Sequence, residues 1–229
     1  MSQSEKIIVI FFSTFYILLF TVEIILFFLK IKIPKFNLKK ILITNIILVL
    51  FGLVGMFILS YTNYLDYEKP IPYSQYDRIG FKNFRGIDFF KKEFLGSKYF
   101  AYVVTTIEID EKNNSIEAFF HPSKSFVYNK KSSMNDLLSH ELYHFKITEY
   151  FARKTRKEVI EKNICNFNEK EKILNENLVE EKKFQILYDY ETYHSYIYFK
   201  QIKFEKKIDS LLLTLNKYTN PKLSCNEKN

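Results

Sequence analysis

The apolar positions divide the chain into two unlike parts. Over residues 7–29 and again over residues 41–61 they run almost without a break. A helix needs about 20 apolar residues to cross a hydrocarbon core, and each run supplies them. Two such runs joined by a short charged loop predict a two-helix membrane anchor over residues 1–64, rather than a pair of core helices. A cleaved signal peptide fits the first run poorly. Its head offsets one lysine with a glutamate, and no small-residue cleavage site follows it.

Beyond residue 64 the pattern becomes periodic. Residues 65–78, with Pro70 and Pro72, read as a linker or an extended lead-in strand. Residues 99–110 are β-branched and aromatic and predict a strand. Asn113 and Asn114 predict a tight turn, and residues 115–121 a second strand pairing back on the first. Ser133 followed by Asp136 predicts a capped helix start, with the helix running over residues 134–162. A second long helical region covers residues 169–218, with a break near residues 175–177. Its positions Leu187, Tyr198, Ile202, Ile208, Leu212 and Leu215 fall near one face, which Glu191 and His194 share. No internal repeat is visible. The expected class is α+β: a small antiparallel sheet on two long helices over residues 79–218, a tail over residues 219–229, and the two-helix anchor in front.

Charge refines this picture. The net charge is +8, but lysine and arginine are interleaved with glutamate and form no stripe, and no nucleic-acid motif occurs, so nucleic acid is not an expected partner. The loop between the apolar runs holds Lys30, Lys32, Lys35, Lys39 and Lys40 and no acid, which predicts a cytoplasmic loop. Both termini and the large domain then lie outside the cytoplasm, on a bacterial inner membrane crossed twice. Glu23 and Asn45 are polar positions inside the runs at similar depth, and read as the contact that pairs the two helices.

The chemistry centres on HELYH. The chain has four histidines, and His140 and His144 stand four apart on the first long helix. Their side chains leave one face a turn apart, the spacing by which two imidazoles hold one zinc ion. Glu141 is placed to act as general base on a water activated there. The plainer alternative is two surface histidines on an ordinary helix. The segment is too polar to span a bilayer, so any cleavage takes place in water.

A catalytic zinc needs a third protein ligand and an open position. Glu149 is near in sequence, but nine residues past His140 it is half a turn out of phase, and it reads as a surface group or as one that supports the centre from outside it. His194 is the favoured third ligand. Glu191, one turn earlier, is its replacement or its hydrogen-bonding partner, and Asp189 can orient a ligating imidazole or serve as an alternative ligand. His121, just before Pro122, is a lesser candidate and reads as structural. Among the tyrosines beside His194, Tyr188 is the candidate hydrogen-bond donor to an oxyanion.

Four segments carry a family resemblance: IGFKNFRG at residues 79–86, HPSKSFV at 121–127, LLSHELYHFKITEYFARK from Leu137, and YDYETYHS from Tyr188. Together they resemble the bacterial family of predicted secreted zinc proteases catalogued as domain of unknown function 922, over about residues 79–215. The resemblance implies a zincin-like fold, a zinc cofactor, a peptide or protein substrate, and roles for His140, Glu141, His144 and His194. The chain departs from the family pattern at Leu142 and Tyr143 (often Gln-Gly), at Phe126 (Trp) and at Ser195 (Gly). The two-helix anchor lies outside the shared pattern.

Cys165 and Cys225 are the only cysteines, and outside the cytoplasm they can pair; no C-x-x-C spacing suggests metal. The expected function is zinc-dependent peptide hydrolysis, with an edge strand in residues 99–110 holding the peptide by β-augmentation. Two alternatives stand beside it. One is a non-catalytic membrane protein whose zinc site is vestigial or closed by Glu191 or His121. The other is an assembly factor acting through Glu23 and Asn45.

Overall fold

The computed structural model describes residues 3–29, 37–62, 66–86, 101–128 and 135–223. They fall into two compact units, each considered by itself.

The first unit is a pair of helices, α1 (Gln3–Phe28) and α2 (Leu38–Thr62). Ile10–Phe28 and Leu38–Gly55 are each long and apolar enough to cross a membrane. Apolar side chains such as Phe11, Phe28 and Phe51 are exposed. Such a surface is at ease in lipid and costly in water. Glu23 is the buried exception: its Oε1 accepts a hydrogen bond from Asn45 Nδ2 at 2.5 Å, the pairing expected from the sequence. Asn37 opens α2 by accepting the Lys40 N–H at 3.2 Å. Most of the lysine-rich loop, residues 30–36, lies outside the described residues.

The second unit joins small antiparallel sheets to three helices: α3 (Asn135–Glu161), α4 (Phe167–Thr192) and α5 (Tyr198–Thr214). One sheet has the order β1 (Ile71–Pro72), β4 (Ser115–Phe120), β3 (Thr105–Asp110); the other pairs β2 (Ala101–Tyr102) with β5 (Phe126–Val127). β3 and β4 run in register from Thr105 opposite Phe120 to Asp110 opposite Ser115. At the turn, Asp110 accepts the Asn113 N–H at 3.1 Å and Asn114 takes a left-handed φ of 47°. Alternation along β4 turns Ile116, Ala118 and Phe120 into the core. There Phe120 meets Phe145 of α3 with ring centroids 6.2 Å apart. Each fully buried ring of this kind contributes roughly 2–3 kcal/mol.

Several boundaries differ from the sequence expectation. The single strand over residues 99–110 is two, because β2 and β3 pair with different partners; residues 99 and 100 lie outside the described residues. The supposed linker is largely structure: it forms β1 and the 3-10 helix Tyr73–Arg78, and Tyr73 and Tyr76 pack on Phe145. The long helical region breaks at residues 193–197, not at 175–177. Asn177 is a buried α4 residue whose amide donates to Thr155 Oγ1 and Glu158 Oε1 of α3, so it bonds sideways instead of capping. Leu187 and Tyr198, placed on the buried face, are exposed. The tail is part of the fold as far as Leu223, which donates its N–H to Asn114 O at 2.8 Å and is buried.

Glu149 is the largest departure. It is 2% exposed, and its Oε1 accepts from Arg153 Nε at 2.9 Å and Arg156 Nη2 at 2.6 Å. α3 is the central helix, packed by β4, α4 and α5, so its face opposite the histidines is interior as well.

Candidate metal centre

α3 and α4 pack along each other, and each offers polar side chains one turn apart toward the other: His140 and His144 from α3, Gln185 and Asp189 from α4. The Nε2 atoms of His140 and His144 are 3.3 Å apart, and Asp189 Oδ1 lies 3.1 Å from the first and 3.0 Å from the second. These three residues form a group that could hold a metal ion. A tetrahedral zinc with bonds of 2.0–2.1 Å sets its ligand atoms about 3.3 Å from one another, so the triangle fits such an ion with little adjustment.

The surroundings favour the same use. His144 Nδ1 faces Gln185 Oε1 at 2.5 Å, while the Gln185 amide donates to His144 O, Thr148 Oγ1 and Glu181 Oε1. That orientation makes Nδ1 the donor and leaves the Nε2 lone pair for the centre. His140 is held differently. Its ring stacks on Tyr188, with centroids 4.6 Å apart and planes 19° apart, and its buried Nδ1 has no hydrogen-bond partner among the described residues.

The charges are interdependent. Burial pushes the His140 imidazole down to about 4, partly opposed by its bond to Asp189. At His144 burial also lowers the pKa, but the hydrogen bond and charge of Asp189 outweigh it and raise the group. Burial raises Asp189, yet the bonds and charges of the two histidines hold its carboxyl below the usual range. Burial pushes Glu141 up to about 7, opposed by the charge of His144 and the Val103 N–H and helped by the charge of Asp189.

Glu141, the two histidines and Asp189 line one cavity of about 500 Å³. Residues 101–105 form one wall, and Leu178 and Ile186 of α4 contribute to its lining. His194 also lines it, with Nδ1 3.3 Å from Asp189 Oδ1. It is not on a buried helix face as expected: α4 ends at Thr192, and His194 stands 66% exposed in a tight corner. Tyr193, His194 and Ser195 there have φ of 51°, 51° and 71°.

The other candidates are placed elsewhere. Tyr188 is fully buried, does not line the cavity and supports His140 from behind, so its position does not suit an oxyanion donor. Glu191 is outside the group, since two residues past Asp189 points it to the other side of α4. His121 is buried far from the centre in sequence and contact, between Asp66 Oδ2 at 2.6 Å and Thr106 Oγ1 at 2.8 Å. Cys165 is exposed, and Cys225 lies outside the described residues. Gln185 was missed in the sequence, and Asp189 was read as an orienting partner or alternative ligand behind His194. The signal for both was the i, i+4 polar pair on α4, matching the histidine pair on α3.

No family model, curated protein or solved structure matches the chain.

Proposed function

We propose that the chain is a membrane-anchored zinc-dependent peptide hydrolase of zincin-like design. The observation that carries this reading is the triangle of His140 Nε2, His144 Nε2 and Asp189 Oδ1 beside the buried carboxylate of Glu141 in one cavity. Zinc in such a setting polarises a carbonyl and makes a water acidic enough to attack near neutral pH. With zinc held by His140, His144 and Asp189, Glu141 would serve as the base that accepts the water's proton and passes it to the leaving amine, a role its place in the cavity allows. The Val103 N–H bonds the Glu141 carboxylate and keeps it turned into the cavity. β3 is an edge of its sheet, and the segment leading into it lines the cavity, which suits a peptide held by β-augmentation. The resemblance of four segments to the secreted zinc-protease family, read from the sequence, points to the same chemistry. α1 and α2 supply the anchor in a bacterial cytoplasmic membrane, and the lysine-rich loop directs the hydrolase domain outward.

A second reading keeps the zinc but not the catalysis. It is favoured by His194, whose Nδ1 is close enough to Asp189 to serve as a fourth protein donor and close the site. Glu191 and His121, the closing ligands weighed from sequence, do not belong to the group. The test uses the full chain in detergent, with elemental analysis and peptide hydrolysis measured side by side. Asp189→Ala should lose both metal and activity. Glu141→Gln should keep about one zinc per chain and lose hydrolysis. A Glu141→Gln protein that binds zinc and still cleaves at the wild-type rate removes Glu141 as the base. A zinc-loaded wild type with no hydrolysis of any peptide tried, but activity in His194→Ala, favours the closed site.

A further inference from the structure

The outer faces of α4 and α5 are oddly composed for a surface in water. On α4, Ile186 and Tyr190 stand four apart on one stripe, Tyr193 caps the end of the helix beside Tyr190, and all three are exposed. On α5, Phe199 and Leu213 share a stripe with Lys203 and Lys206, and Phe199 is 78% exposed. The rings of Tyr190 and Tyr193 stack at 6.4 Å, and Lys200 Nζ lies 5.3 Å over the Tyr193 ring.

The charge on these faces is mainly of one sign. Within residues 179–213 the exposed charged side chains are Lys182, Lys183, Lys200, Lys203, Lys206 and Lys207 against two acids, Glu180 and Asp209, and Asp209 is held by Lys146. Glu180 is already paired with Lys154. The stretch contains no arginine. A protein interface enriches arginine and depletes lysine, whereas exposed aromatics ringed by lysine are what a headgroup layer takes up.

We infer that this aromatic and lysine face of α4 and α5 binds the surface of an anionic bilayer. Tyrosine and phenylalanine rings enter at headgroup depth, and the lysines meet lipid phosphates. The inference rests on the membrane reading of α1 and α2. Only residues 63–65 lie between Thr62 and Asp66, at most about 14 Å of extended chain, so lipid is always within reach. Ile186 and Lys182 belong both to this face and to the cavity lining, so the cavity mouth opens beside the lipid. The substrate is then a peptide segment lying at the membrane surface.

The chain has no tryptophan, which makes a single introduced one a clean reporter. Full-length Phe199→Trp is reconstituted into phosphatidylcholine–phosphatidylglycerol vesicles with and without brominated acyl chains. Glu111→Trp, at the β3–β4 turn, is the water-exposed control, and Tyr190→Trp is a second reporter on the same face. Resistance to alkaline carbonate extraction is checked first; an extractable chain fails the membrane reading itself and takes this inference with it. With an inserted chain, the expected result is blue-shifted emission and several-fold stronger bromolipid quenching at positions 199 and 190 than at 111, falling in pure phosphatidylcholine. Three results overturn the inference: quenching at 199 and 190 no stronger than at 111, blue-shifted emission without quenching (a protein partner), and quenching indifferent to anionic lipid.

Discussion

Replacing Glu149 by alanine removes the carboxylate that, among the described residues, bonds both buried guanidinium groups, Arg153 and Arg156. Arg153 would keep Leu212 O at 3.1 Å, and Arg156 would keep Tyr218 O at 2.6 Å and Ile116 O at 2.7 Å, so neither loses every acceptor. What both lose is neutralisation, at side chains 8% and 1% exposed. Breaking a buried ion pair from one side costs roughly 3–5 kcal/mol. Against a total of about 5–15 kcal/mol for a domain, that is roughly a fifth of the stability or more. For a unit of this size it corresponds to a fall in Tm of roughly 10 °C. The measurement is denaturant and thermal unfolding of the full chain in detergent, with Glu149→Gln alongside. Glutamine keeps an acceptor but not the charge, so its loss should be smaller. An alanine variant within about 1 kcal/mol of wild type would refute the buried network and return Glu149 to the surface role first read from its phase.

Two further expectations test the corner and the centre. Ser195→Gly, at a φ of 71°, should stabilise the chain by about 1 kcal/mol by relieving a left-handed residue that carries a Cβ; an unchanged or lowered Tm argues against that conformation. Gln185→Leu removes the acceptor that holds His144 Nδ1, and should weaken zinc binding by about 10–100-fold in competition with a chelating indicator; an unaltered affinity would mean that Gln185 does not set the imidazole.

What the sequence made legible was local. Unbroken apolar runs mark α1 and α2, and the spacing of His140 and His144 matters only on a helix, which the Ser133 and Asp136 pattern predicts and α3 supplies. The β3–β4 hairpin follows from alternation and the Asn113–Asn114 turn. What stayed hidden depends on long-range packing. Glu149 looks like a surface group by helical phase, because phase gives direction but not whether another layer covers that direction. His194 looked buried because residues 169–218 contain no glycine or proline to mark a corner. The chain instead turns on three left-handed residues, Tyr193, His194 and Ser195, none of which is a usual breaker. Asp189 ranked behind His194, as an orienting partner or alternative ligand, because the third ligand was sought first among the histidines.

The acceptors of Arg156 come from three distant places in the chain: Ile116, Glu149 and Tyr218. During synthesis the last of them is made 62 residues after the arginine itself. Until then a guanidinium destined for the core has only part of its coordination, and closing α3 onto the sheet would strand hydrogen-bond donors away from water. A domain closed without Tyr218 leaves the Arg156 Nε–H without its acceptor in the core. A chain stopped short of Tyr218 should yield an incompletely closed core that proteases clear, rather than a smaller folded domain.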